Sequence, residues 1–382
     1  MAEGLTVHEP SYIDTTPAAD RFLAAVEQSS TVAVDTEGAS FHRFVDRIYL
    51  LQMSTRELTA VLDPLAIGKP AALGRILESD KIEKVFHDAD YDLRLLHQDY
   101  GWNTRKLFDT RVAAQLLGIR TFGLAALLER SFGLKLDKKH QRADWSMRPL
   151  PKDMLDYASQ DTMYLLELRD RLAGELEKAG RWSWAQEEFE RSEGTRWDAP
   201  DGEDNGYMRI KGARDLGRRE LALFRELVRF RDGIARELDR ATFRVAGNEA
   251  LFAVAKEAPR TMEALTAIKG VPRGIAERRG AEMLAAVKRG LDVPEDQLPK
   301  FPRAPRWDRD ADFDTRVNAL RSAREEVAQR LGLDPGFLCA REKLEMIARK
   351  KPKTLEELAE IPDLRKWQIE VLGSAFLKAL AA

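Results

Sequence analysis

The segment TVAVDTE, from Thr31 to Glu37, decides the fold of the first half of this chain. It is rich in β-branched residues and follows the turn-forming pair Ser29-Ser30, a combination that predicts a buried strand. Side chains alternate between the two faces of a strand, so Asp35 and Glu37 must share one face. The sequence therefore predicts two carboxylates side by side on one strand.

Strand and helix patterns alternate around this segment. Further strands are predicted near 47–53, 58–62, 82–86 and 106–108, and helices at 16–27, 70–78 and 90–100. The strands at 31–37, 47–53 and 58–62 are separated only by polar turns, which favours a meander. Several helices follow, up to residue 178. This order predicts an α/β domain in which helices flank a mixed sheet.

Three more residues extend the acidic pattern. Asp92 falls in the predicted helix 90–100, and Tyr157 and Asp161 lie four residues apart in a helical run at 151–178, on one helical face. The chain has 64 acidic residues, and any one of them most often lies solvated on the surface. The prediction therefore depends on the whole set of residues in this order and not on any one of them. Carboxylates brought together raise one another's pKa, and a protein keeps such a cluster chiefly when divalent cations neutralise it. Two such ions can clamp the attacking and leaving oxygens of a phosphodiester, and a nearby tyrosine can position or deprotonate the attacking water.

The ordered set resembles the DEDD-type 3′-to-5′ exonucleases of the tyrosine subclass, and most closely the ribonuclease D family. The stretches FDTRVAAQLLG (108–118) and ADWSMRPLPKDMLDYASQD (143–161) resemble that family too. The resemblance implies a ribonuclease H-like exonuclease domain over 1–187 and two Mg²⁺ or Mn²⁺ ions. It implies metal ligands and one catalytic tyrosine at these positions: Asp35, Glu37, Asp92 and Asp161, with Tyr157. It also implies hydrolysis of single-stranded RNA 3′ ends to nucleoside 5′-monophosphates, with precursors of transfer RNA and other stable RNAs of bacteria as substrates.

Gly38 departs from the family pattern, because many relatives carry an aromatic residue directly after DTE. In the family that aromatic residue wedges against the terminal base. Phe41 and Tyr91 are the candidates to take its place here.

The second half of the chain is helical and repeated. Turn-forming residues at 188–212 predict a linker, and 213–291 and 312–382 predict two helical bundles joined by a Pro-rich linker at 292–311. Aligning 219–289 with 312–382 at a constant offset of 93 gives 16 identities in 71 positions. Each copy resembles the helicase-and-ribonuclease-D C-terminal (HRDC) domain, which binds nucleic acid in several relatives. Thr261 and Thr354 are predicted N-caps at equivalent positions.

Five further residues are candidate RNA contacts, each with a structural alternative. His87 either touches substrate or hydrogen-bonds within the core, and Phe122 either stacks on a base or begins an apolar helix. Lys138 and Arg142, in a stretch leading to Tyr157, either hold the RNA backbone or are plain surface charge. Lys269 precedes Gly270 at a helix start that either faces a phosphate or is an ordinary turn. The second copy has Asp363 in place of Gly270, which would repel phosphate.

Composition bears on the cellular compartment and on the ligands of the protein, but it leaves two alternative functions open. The net charge of −2 hides a basic stretch, since residues 211–289 hold 18 Lys and Arg against 11 Asp and Glu. The single cysteine, Cys339, excludes an internal disulfide, and no apolar run reaches 18 residues. Neither a signal peptide nor a GxxxxGK[ST] phosphate loop is recognisable, so we expect a cytoplasmic protein that uses neither a membrane nor ATP. A DNA exonuclease of the same superfamily and a non-catalytic nucleic-acid adapter remain the alternatives.

Overall fold

A computed structural model of the chain describes residues 9–136, 139–198, 206–302 and 311–381. Its first part contains a six-stranded sheet. The strands are β1 (Ser11–Ile13), β2 (Thr31–Glu37), β3 (Leu50–Ser54), β4 (Thr59–Leu62), β5 (Glu83–Phe86) and β6 (Leu107–Asp109). Their order across the sheet is β1-β4-β3-β2-β5-β6. β2, β3 and β4 form the predicted antiparallel meander, while the β1–β4, β2–β5 and β5–β6 pairs are parallel. The prediction of a mixed sheet is confirmed.

Helices cover both faces of this sheet. The first face carries α1 (Thr16–Val26), α2 (Pro64–Ile67), α3 (Ala71–Leu77) and α4 (Asp90–Tyr100). The second carries α5 (Thr110–Leu116), α6 (Leu124–Phe132), α7 (Lys152–Met163) and α8 (Leu165–Lys178). Val32 and Val34 of β2 pack into the core of the first face, and Ala33 packs into that of the second. By alternation, Asp35 and Glu37 therefore point toward the side that holds α7.

Two element predictions need correction near the sheet. The strand predicted at 47–53 begins only at Leu50, because the Ile48 N–H donates to the Asp99 carboxylate at 2.8 Å instead of joining a strand. The helical run predicted at 151–178 is two helices, because Tyr164 leaves helical geometry at φ −112° and ψ 2°. This break lets α7 lie over β2, β3 and β4 while α8 packs on α5 and β5. The short strand β1 was not predicted, since three residues are too few to show an alternating pattern.

The predicted linker also begins too early. A ninth helix, α9 (Trp182–Ser192), runs five residues into the segment 188–212. Its apolar side packs on β6 and on the last helix of the chain, so the region that reads as polar and turn-rich is helical up to Ser192. The domain bounds beyond this remain a prediction.

The C-terminal half forms two bundles of matching design. The first contains α10 (Arg218–Glu237), α11 (Thr242–Val245), α12 (Asn248–Glu257), α13 (Met262–Ala267) and α14 (Arg273–Asp292). The second contains α15 (Phe313–Leu331), α16 (Pro335–Leu338), α17 (Arg341–Lys350), α18 (Leu355–Ala359) and α19 (Lys366–Ala381). Thr261 and Thr354 are N-caps, as predicted, and their hydroxyls accept from the backbone N–H three residues on. The last four helices of each copy start at positions separated by the same offset of 93 that aligns the sequences.

Backbone geometry explains which positions the two bundles share. Three equivalent pairs have positive φ, which ends a helix or reverses the chain: Asp239 and Gly332, Ala258 and Lys351, Gly270 and Asp363. Gly280 and Gly373 mark equivalent close crossings, since a Cβ on either would lie 2.5 Å from the facing side chain at equivalent positions of α13 and α18. The internal repeat is therefore a repeat of turns and helix crossings. Among the described residues, no helix is both long enough and apolar enough to cross a membrane.

Candidate active site

Strand β2 and helix α7 bring three of the predicted carboxylates together. A carboxylate oxygen of Asp35, one of Glu37 and one of Asp161 all lie within 4.8 Å of one another. Asp35 and Glu37 share a face of β2, and α7 crosses that face. The Ser54 and Thr162 hydroxyls are hydrogen-bonded at 2.8 Å, which fixes α7 against β3 next to Asp161.

Asp92 borders this group from α4 but falls outside it. Its Oδ1 accepts hydrogen bonds from the Thr36 backbone N–H at 2.9 Å and from the Thr36 hydroxyl at 2.5 Å. The pairing of β2 with β5 ends at Ala33, so the Asp92 side chain takes the place of a neighbouring strand at Thr36. The sequence did not predict that Asp92 would bind the Thr36 backbone, because this contact depends on where β2 and β5 separate.

All four carboxyl groups have raised pKa values. Burial is the main cause in each case, and the neighbouring carboxylates add to it. The pKa of Asp161 rises to about 7, with Asp92 as its second cause. Burying several carboxylates together costs free energy of folding unless a positive charge is bound among them.

The residues fit a divalent cation. Within the described ranges no lysine, arginine or histidine forms an ion pair with Asp35, Glu37 or Asp161, so the protein leaves their charge unbalanced. Gln52 of β3 lies opposite Asp35 in the sheet; its side-chain amide is fully buried and has no hydrogen-bond partner among those residues. Carboxylate and amide oxygens are the ligands that hard cations such as Mg²⁺ prefer. The acidic cluster therefore has the chemistry of a metal site.

Tyr157 lies one helical turn before Asp161 on α7. Its ring is half-buried and packs on Trp145 at 6.1 Å and on His140 at 5.6 Å between ring centroids. Trp145 is buried in the small core that also holds Leu50 of β3 and Ala158 of α7. The phenol ring is thus held in a fixed position on the side of α7 that carries Asp161.

An arginine that sequence reasoning missed anchors the segment leading into α7. The Arg148 guanidinium donates to both oxygens of buried Asp63, at 2.5 and 2.8 Å, and to the carbonyls of Tyr49 and Trp145. Tyr12 also donates to Asp63 at 2.6 Å. The Arg148 and Tyr12 hydrogen bonds hold the pKa of Asp63 below its ordinary value despite its burial. Nothing in the sequence links residues 63 and 148, which meet only through the fold.

The space beside Gly38 is filled by Tyr91. A Cβ on Gly38 would overlap the Tyr91 hydroxyl, which donates to Asp46 at 2.6 Å. Burial and this hydrogen bond raise the pKa of Tyr91, so its hydroxyl stays protonated. Tyr91 therefore occupies the space beside Gly38, whereas Phe41 lies further along the loop.

The other candidate RNA contacts differ in their surroundings, some packing in the protein and others lying exposed. His87 is half-buried and hydrogen-bonded to the Thr110 hydroxyl at 2.9 Å, and burial lowers its pKa to about 4, which favours the core alternative. Phe122 packs with the core shared by α5, α8 and the second bundle, and the Arg111 guanidinium covers its ring at 5.0 Å. Arg142 is exposed, Lys269 is exposed beside Gly270 at φ 97°, and Lys138 lies outside the described residues.

Comparison with known proteins assigns the family. A 3′-5′ exonuclease family profile matches residues 10–177, and an HRDC profile matches 220–287 and 314–380. The chain is 30% identical over 372 residues to ribonuclease D of Nitrobacter hamburgensis, covering 96% of this chain and 94% of that protein. The chain belongs to the ribonuclease D family. It is thus a 3′-5′ exoribonuclease with HRDC domains, in a metal-dependent family that acts on RNA.

Further comparisons are consistent with this assignment. The structure of Escherichia coli RNase D, described as an exoribonuclease involved in structured RNA processing, superposes with a TM-score of 0.74 at 26% identity, covering 98% of this chain and 99% of that one. A protein from Bifidobacterium adolescentis superposes with a TM-score of 0.85 at 26% identity, over 98% and 97%. Mouse exosome complex component 10 is 32% identical over 270 residues, which are 69% of this chain and 30% of that protein.

Proposed function

We propose that the protein removes nucleotides from the 3′ end of single-stranded RNA and releases nucleoside 5′-monophosphates. The observation that carries the proposal is the convergence of Asp35, Glu37 and Asp161 oxygens within 4.8 Å, without a protein cation to balance them within the described residues. Family membership supports RNA as the substrate class, and precursors of transfer RNA are the substrates we expect.

Asp35, Glu37 and Asp161 would hold two Mg²⁺ or Mn²⁺ ions, with Asp92 beside them. Bound divalent ions lower the pKa of water and neutralise the charge that develops on the phosphate and the leaving oxygen. Asp92 holds the end of β2 in place through Thr36, so Asp35 and Glu37 are presented in a fixed geometry. The scissile bond is the one between phosphorus and the 3′ oxygen, so the phosphate stays on the released nucleotide.

Tyr157 would orient the attacking water. A phenol with an ordinary pKa of about 10 is protonated at neutral pH and is a weak base there. The hydroxyl therefore acts by holding the water through a hydrogen bond, in line with the bond that breaks. Its packing against Trp145 and His140 keeps it from rotating away from α7.

The test is degradation of 5′-labelled RNA, with products identified by mass. The full chain with Mg²⁺ or Mn²⁺ should give a ladder that shortens from the 3′ end, together with nucleoside 5′-monophosphates. Asp35→Asn and Asp161→Asn should abolish the ladder, and Asp156→Asn, an exposed change on the same helix, should leave it intact. Full activity of Asp35→Asn would refute the site, and equal rates on a DNA strand of the same sequence would favour the DNA exonuclease. Calorimetric titration with Mn²⁺ should give two ions per chain.

A further inference from the structure

The loop that follows the first catalytic strand is held by the first helical bundle. Backbone and side chain of this loop, residues 39–47, both take part. The Asp239 carboxylate accepts from the Phe44 N–H and from the Arg43 guanidinium, each at 3.2 Å, and the Ala241 N–H donates to the His42 carbonyl at 3.2 Å. Asp239 lies between α10 and α11 and has a positive φ of 44°. The loop is thereby attached both to β2, which it follows, and to the first bundle.

An aromatic pair spans this contact in the open. Phe41 of the loop and Phe243 of α11 have ring centroids 6.3 Å apart at 73°, and they are 47% and 54% exposed. The Arg142 guanidinium lies over the Phe41 ring at 5.5 Å. Two large rings left about half exposed on both sides of a contact between domains offer aromatic surface to a flat ligand.

Arginines surround the pair. A cleft of about 650 Å³ beside it is lined by His42, Arg43, Asp144, Leu238, Asp239, Arg240 and Arg244. The two acidic residues are already engaged, Asp239 by Arg43 and Asp144 by the Ser146 hydroxyl. Arg244 donates to the Phe41 carbonyl at 2.6 Å and to His42 at 3.1 Å, which leaves further N–H donors on its guanidinium. The exposed guanidinium of Arg240 makes no hydrogen bond or ion pair within the described ranges, and only the backbone N–H of Arg240 is bonded, to the Ala235 carbonyl. Three arginines against two aspartates leave the lining of the cleft with an excess of positive charge.

We propose that the cleft and the Phe41–Phe243 pair form a second binding site, for the stretch of single-stranded RNA a few nucleotides upstream of the 3′ end. Bases stack on the exposed rings, and Arg142, Arg240 and Arg244 pair with phosphates. Exposed aromatics interleaved with cations are the usual means of gripping a single strand without reading its sequence.

Position selects this ligand over others. Phe41 follows the metal-site residue Glu37 by four positions, so its backbone lies within about 14 Å of that residue. A strand whose last phosphate is at the carboxylates can therefore reach the loop within a few nucleotides. The inference rests on the proposed function, because it takes the 3′ end to be bound at the acidic cluster. It adds that the first bundle contributes to the substrate path, through Phe243, Arg240 and Arg244.

The experiment measures binding and cleavage separately, on the full chain. Affinity for a fluorescent 12-nucleotide RNA is measured by anisotropy in EDTA, where no hydrolysis occurs, and turnover is measured on the same RNA and on a dinucleotide with Mn²⁺. Phe243→Ala should weaken 12-nucleotide binding by about tenfold or more, as loss of one stacked base does, and Phe243→Tyr should keep it. Arg240→Ala should weaken binding and lower the slope of log affinity against log salt by about 0.7, the value for one phosphate of a single strand. Both variants should cleave the dinucleotide as the parent does.

Arg260→Ala is the matched control, since Arg260 is exposed on the same bundle but does not line the cleft. Unchanged 12-nucleotide affinity in both Phe243→Ala and Arg240→Ala would overturn the inference. A parallel loss of dinucleotide cleavage would also overturn it, because the contact would then serve to hold the catalytic loop. A chain that binds the 12-nucleotide RNA through these residues but cleaves neither substrate would contradict the proposed function and leave the binding site standing.

Discussion

Trp184 of α9 stacks on Trp367 of α19, with ring centroids 5.1 Å apart and ring planes 19° apart. Beside them, the buried Glu188 carboxylate accepts from the Trp367 indole at 2.9 Å and from the Arg365 guanidinium at 3.1 Å. The segment that the sequence marks as the start of a linker is therefore the joint between the sheet domain and the second bundle. Its apolar residues continue the core of both parts.

The first prediction concerns this joint. Glu188→Ala leaves the half-buried Arg365 guanidinium and the Trp367 indole without their acceptor, which should cost about 3 kcal/mol of unfolding free energy. Urea unfolding followed by tryptophan fluorescence should show an earlier transition, and limited proteolysis should release the second bundle. Glu190→Ala, an exposed change on the same helix, is the control. Identical midpoints for the two variants would show that the joint is held by the stacked rings alone.

The second prediction concerns the anchor of α7. Arg148→Met leaves Asp63 buried without its cation, and we expect a loss of about 3–5 kcal/mol at neutral pH together with reduced turnover. Because the folded pKa of Asp63 is depressed, its contribution is present above the unfolded pKa and is lost as pH falls through the folded pKa. The difference between Arg148→Met and the parent should therefore shrink below about pH 4. Lys152→Met, at the exposed start of α7, should lose little, and a constant deficit from pH 7 to pH 3 would argue against the ion pair as its cause.

The third prediction concerns the phenol. Tyr157→Phe should lower kcat by about 10²–10⁴, the usual cost of removing one positioned proton acceptor or donor, while RNA affinity stays unchanged. Tyr164→Phe makes the same chemical change just beyond α7 and should leave kcat unchanged. Single-turnover rates on 3′-labelled RNA with Mn²⁺ provide the measurement. If Tyr157→Phe retained parental turnover, the phenol would have no part in the mechanism.

The fourth prediction concerns pH and metal ions together. In the absence of metal, burial and Asp92 raise the pKa of Asp161 to about 7, from an ordinary value of 3.8. A raised folded pKa means that stability from this group is greatest below the unfolded pKa and falls as pH rises from about 4 to about 7. We therefore expect Asp161→Asn to gain thermal stability relative to the parent in EDTA as pH rises through this range. Mn²⁺ should stabilise the parent at pH 7 and stabilise Asp161→Asn much less.

The control for the fourth prediction is Asp156→Asn, whose carboxylate is exposed on the same helix. Its Tm should follow the parent at every pH, with and without Mn²⁺. If Asp161→Asn also followed the parent throughout, the raised pKa and the metal site would both be in error.

Much of the catalytic half could be predicted because its signals are local. The strand Thr31–Glu37 and the helix Asp90–Tyr100 have the predicted bounds, since β-branched runs and helical periodicity are properties of consecutive residues. The pairing of Asp35 with Glu37, and of Tyr157 with Asp161, follows from the same periods of two and of about four. Predictions erred where a contact distant in sequence overrides the local pattern, as at Ile48 and at Glu188.

The sequence by itself determined which side chains share a face of each strand or helix, because that depends only on backbone geometry within one element. The tertiary structure decided which faces meet. Arg148 and Asp63 are 85 positions apart and Trp367 and Glu188 are 179 apart, so no short-range pattern encodes their contacts. The same holds for Phe41 and Phe243, which face one another only because the first bundle packs on the loop after β2. At Asp63 and Glu188 burial excludes water, so the groups placed there depend on one another for hydrogen bonds and charge.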